Sequence, residues 1–94
     1  MRDIEIKLVY INDQFIDCRG GTLSIENHAE NWQFEMYDPV LTLEEEGLHH
    51  TDEYYLKLYT ADDAMFTGRS FTSENIERKK ELLVFEGAGE LHEA

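Results

Sequence analysis

The stretch IEIKLVYI, Ile4 to Ile11, decides how the rest of the chain is read. Ile4, Ile6, Leu8 and Tyr10 fall on one side of an extended backbone, and Glu5 and Lys7 on the other. Period two with a single apolar face predicts a half-buried β-strand. Asn12-Asp13-Gln14 follows with turn chemistry, because short polar side chains bond their own backbone. Phe15 to Arg19 then reads as the returning strand, and Gly20-Gly21 turns the chain again. Thr22 to Asn27 is the next strand, with Leu23 and Ile25 inward. A loop at His28–Asn31 leads to a strand with Trp32, Phe34 and Met36 inward and Gln33 and Glu35 outward. Strands joined by such short loops predict an antiparallel meander.

Beyond Asp38-Pro39 the pattern changes. Asp38, Pro39 and Gly47 suit the cap, first position and stop of a helix over residues 39–47. Val40, Thr42 and the Leu41/Leu43 alternation suit a strand, and Glu44, Glu45 and Glu46 oppose a helix dipole at that end. An edge strand running into an acidic loop is the favoured reading. Tyr54–Thr60, Met65–Thr72 and Glu81–Glu86 are further strands, the first two joined by a turn at Ala61–Ala64. Ser73 to Lys80 is polar, with one helical turn capped by Ser73. Gly87-Ala88-Gly89 ends the last strand and leaves a tail over about residues 88–94.

The fold class is therefore all-β: one domain over residues 1–94, an antiparallel sandwich or flattened barrel of about seven or eight short strands. The expected core is Ile4, Ile6, Leu8, Leu23, Ile25, Trp32, Phe34, Met36, Leu56, Leu58, Phe66, Leu83 and Phe85.

Composition narrows the function. With 41% hydrophobic residues and a full set of aromatics, the chain can build a core despite a net charge of −13. Acidity of that degree disfavours nucleic acid and anionic membranes as direct partners. The one basic cluster, Arg78-Lys79-Lys80, is flanked by Glu74, Glu77 and Glu81. The single cysteine, Cys18, excludes an internal disulfide, and the start MRDIEIKLVY lacks a signal-peptide core. A cytoplasmic protein is expected, in the host cytoplasm if it is viral.

No catalytic motif stands out. Cys18 has no base placed beside it by spacing, and no serine lies in a nucleophile-elbow pattern. Adjacent His49 and His50 near carboxylates are metal-capable residue types, but no recognised ligand spacing supports them. No cofactor and no metal are expected. The strongest constellation is the acidic middle: residues 38–64 hold eight carboxylates against Lys57, about half the chain's excess charge. Glu44, Glu45, Glu46, Asp52, Glu53, Asp62 and Asp63 are the candidate partner-binding residues, with Tyr54 as an aromatic anchor. Tyr37 and Tyr55 are further outward aromatic candidates.

These features lead to a non-enzymatic acidic module for a basic, nucleic-acid-handling protein. One form is an inhibitor or immunity-type protein acting by charge mimicry. The alternatives are a β-sandwich subunit of a larger assembly such as a phage particle, and a small ligand-binding barrel or enzyme.

Overall fold

The computed structural model describes residues 2–26, 30–48 and 53–94. Among them are nine strands and no helix: β1 (Arg2–Ile6), β2 (Leu8–Ile11), β3 (Gln14–Ile16), β4 (Gly21–Ile25), β5 (Trp32–Tyr37), β6 (Tyr54–Tyr59), β7 (Met65–Phe71), β8 (Leu82–Gly87) and β9 (His92–Glu93). Every pairing is antiparallel, in the order β1-β4-β5-β8-β7-β6-β2-β3, with β9 also on β7. The chain is all-β, as its alternation predicts.

The chain changes strand neighbours at two corners of this one sheet. At one corner β1 pairs with β4 while β2 pairs with β6, and only Lys7 separates them. Lys7 N–H donates to Tyr59 O at 2.7 Å although Leu8 is the register partner of Tyr59. Two residues thus oppose one, which makes a β-bulge and bends the strand. At the other corner β8 pairs with β5 and then, through Gly87, with Ser70 on β7. The chain stays on β7 through Ala88 N–H to Arg69 O and the β9 pairs. Strands that change neighbours at bends are how a folded-over sheet turns its corners.

The bulge shifts the phase of the first segment. Val9 and Ile11 are fully buried while Leu8 is 46% exposed, so the expectation that Leu8 and Tyr10 continue the face of Ile4 and Ile6 is corrected. A one-residue slip moves every later side chain to the opposite face. Leu23, Phe34, Met36, Leu56, Leu58, Phe66, Leu83 and Phe85 are buried as expected, and Ile4 and Ile25 are half-buried. Tyr54 on β6 and Phe85 on β8, strands that flank β7, meet edge to face at 5.8 Å. Trp32 on β5 lies against Gly68 on β7 and Gly87 on β8, and its Nε1–H donates to Gly89 O at 2.9 Å.

Residues 39–47 form neither helix nor edge strand. They make bends and one capped turn. Thr42 and Glu45 cap each other: Glu45 accepts from Thr42 N–H, and Glu45 N–H donates to Thr42 Oγ1, both at 3.0 Å. The turn closes with Leu48 N–H to Leu43 O and Gly47 N–H to Glu44 O, with Gly47 at φ +83°. Gly47 closes this turn in the left-handed region rather than stopping a helix, and Leu43 and Leu48 are both buried in the core. The strand expected at Phe15–Arg19 is only Gln14–Ile16, because Arg19 N–H bonds Tyr37 O instead. Residues 73–80 hold no helical turn capped by Ser73; Thr72 and Asn75 receive the local N–H bonds, and Ile76 is buried. The expected tail includes β9 and the buried Leu91, since Trp32 and β7 offer it apolar cover.

Candidate functional site

The acidic segment does not make one face. β6 separates its members: Glu53 precedes the strand and Asp62 and Asp63 lie in the turn after it, about 20 Å of extended chain apart. Glu45 is committed to Thr42, which holds its carboxyl below the usual range through backbone and hydroxyl hydrogen bonds, with Lys79 adding a favourable charge. Glu46 accepts from Gln14 Nε2 through both its carbonyl (2.7 Å) and its carboxylate (2.8 Å), tying the turn to β3. Glu44 is exposed. Arg69 lies 3.9 Å from Glu53, a loose exposed pair. Asp52, His49 and His50 lie outside the described residues.

Tyr54 is corrected as a surface anchor. It is fully buried, because the β6 alternation turns Tyr54, Leu56 and Leu58 inward and leaves Tyr55 38% exposed. Its carbonyl accepts from Ser70 Oγ at 3.0 Å. Tyr37 is half-buried and bonds Thr22 Oγ1 at 2.8 Å.

The structure assembles a different set of acids. Across the outer face of β1, β4, β5, β8 and β7, the pairing aligns Asp3, Ser24, Gln33, Glu86 and Phe71 in one row. The next row on that face is Glu5, Thr22, Glu35 and Val84. A hollow of about 620 Å³ lies over the first row and Glu35 of the second, with Glu26, Glu30, Asn31 and Trp32 also lining it. Five carboxylates line it (Asp3, Glu26, Glu30, Glu35 and Glu86), and no lysine or arginine does among the described residues. Asp3 and Glu86 stand three strand spacings apart, about 14 Å. Phe71, 41% exposed, gives the hollow an apolar wall.

These acids went unnoticed in the sequence because they are dispersed along it. The only local signal is their outward place in an alternating strand, clearest at Glu35 and Glu86. Register alone makes them neighbours.

The other candidate groups stay apart. Cys18 is half-buried, and burial pushes its thiol up, opposed by a backbone hydrogen bond from Gly20 and assisted by Asp17. Such a thiol is a poor nucleophile at neutral pH. Among the described residues no group of three or more His, Cys, Asp and Glu is placed to hold a metal ion. No helix among them is long and apolar enough to cross a membrane. Comparison with protein families, with curated proteins and with solved structures yields no match for this chain.

Proposed function

We propose that the chain is a non-enzymatic binding module that receives a basic, nucleic-acid-handling protein on the acidic outer face of β1-β4-β5-β8. The hollow carries the reading: it gathers five carboxylates with no cation of the chain's own lining it among the described residues. A net charge of −13 steers a basic partner toward that face, and the concave shape concentrates the field there. Phe71 supplies an apolar contact inside a charged rim, the usual anatomy of an interface. The module acts in the cytoplasm, the host's if the protein is viral, by occupying a groove that would otherwise grip phosphates.

Capture from lysate at low salt, eluted with salt and separately with duplex DNA, tests this with two sets of variants. Glu35→Gln with Glu86→Gln should reduce capture of a DNA-displaceable basic protein. Glu44→Gln should leave it unchanged. Equal capture by wild type and the Glu35/Glu86 variant rejects the acidic face.

One observation favours a second reading, a subunit of a larger assembly. The outer face of β3-β2-β6 exposes Leu8, Phe15 and Tyr55, and Tyr10 joins Phe15 and Tyr59 through edge-to-face contacts at 5.6 and 5.7 Å. An apolar outer face of this kind suits burial against a neighbouring subunit. A defined oligomer at physiological salt is the result that would favour it.

A further inference from the structure

We infer that the outer edge of β1 receives an extended, lysine- or arginine-bearing segment of the partner as an added strand. This deepens the acidic-face reading and rests on it. β1 ends the strand order, with β4 on one side only. Lys7 N–H turns to β6, on the side away from β4. Backbone direction alternates along a strand, so Asp3 and Glu5 also aim their N–H and C=O groups away from β4. Beyond Lys7 no strand of the described residues meets them.

Their side chains stand on the acidic face: Asp3 lines the hollow, and Glu5 lies in the next row. Asp62 and Asp63 add charge in the β6–β7 turn, which starts just after the Tyr59 that Lys7 bonds. Two cations are close to this edge, and both are engaged. Lys7 pairs with Glu5 at 3.1 Å, and the Arg2 guanidinium lies 5.9 Å from the centre of the Phe66 ring. An open strand edge is a template for another chain, and edge charge governs which chain is accepted. A second copy would bring Asp3 and Glu5 against like charge. A basic strand would place alternate cations over the hollow while its backbone bonds Asp3 and Glu5.

The probe is a dye-labelled synthetic peptide of alternating lysine and valine, followed by fluorescence anisotropy against the full chain. Asp3→Asn removes only the charge, whereas Asp3→Pro also removes the outward N–H and spares the β4 ladder. Asp3→Pro should bind roughly fivefold more weakly than Asp3→Asn, the worth of one lost backbone hydrogen bond. Hydrogen exchange on the wild type needs no variant: the Asp3 and Glu5 amides should gain protection when the peptide is added. Equal binding by the Asn and Pro variants with unchanged protection overturns the added strand and leaves the acidic face standing. Undiminished peptide binding by Glu35→Gln with Glu86→Gln shows instead that the acidic face has failed. A concentration-dependent dimer that Asp3→Pro abolishes would show that the edge belongs to a second copy, which also overturns the proposal.

Discussion

Adding one methyl group at Gly87 tests how the only tryptophan is seated. A Cβ at Gly87 would stand 2.5 Å from Trp32 Nε1, 2.6 Å from Cε2 and 2.8 Å from Cδ1. Ordinary contact begins near about 3.4 Å, so the indole must retreat by roughly 1 Å. Retreat is blocked on the other side, where a Cβ at Gly68 would stand 2.7 Å from Cζ2 and the β7 backbone already closes the space. Any shift also strains the 2.9 Å bond from Nε1–H to Gly89 O. Overpacking costs about 1–3 kcal/mol and the weakened bond about 1 kcal/mol, while the alanine recovers about 0.4–1 kcal/mol by stiffening the unfolded chain. Gly87→Ala should therefore lose about 1–3.5 kcal/mol net.

Urea unfolding followed by far-ultraviolet circular dichroism measures that loss, and the emission of Trp32 should shift to the red in the folded variant. Circular dichroism is needed because the decisive control removes the fluorophore. In a Trp32→Phe background the smaller ring does not reach Gly87, so the same alanine should cost less, with a coupling of about 1 kcal/mol or more. A Gly87→Ala variant as stable as wild type refutes the notch. Equal costs in the two backgrounds would show that the indole is not what Gly87 accommodates.

The phase slip at Lys7 is checked by neighbours: Val9→Ala should cost about 2–3 kcal/mol and Leu8→Ala under about 0.5 kcal/mol in the same urea titration. Reversed costs would restore an unbroken alternation. Thr42→Ala should remove the hydroxyl half of the reciprocal cap, the acceptor of Glu45 N–H, and about 1 kcal/mol. Because Glu45 has a folded pKa below its unfolded value, its contribution is present above the unfolded pKa of 4.5 and lost as pH falls through the folded value. Glu45→Gln, which removes the titrating group itself, should therefore flatten the acid limb of a stability–pH curve, and an unchanged limb rejects the cap's role. Cys18 should react with iodoacetamide more slowly at neutral pH than a small free thiol, by mass spectrometry, because burial raises its pKa. A rate equal to the free thiol would place it in solvent.

The alternation in Trp32–Tyr37, Tyr54–Tyr59 and Leu82–Gly87 was legible residue by residue, and with it the all-β class and most of the core. So were the acidity and the single thiol. All of these depend on local backbone geometry or on composition, which a sequence carries directly. The inward Tyr54 was legible too, because it shares the face of Leu56 and Leu58, already expected in the core; reading it as an outward anchor broke that alternation. Only the tertiary structure decided the bulge at Lys7, the glycine notch for Trp32, the dispersal of the acids of residues 38–63 and the row that joins Asp3 to Glu86. Each depends on which strand lies beside which and in what register. Contacts between residues far apart in the chain set that register, so no window of sequence contains it.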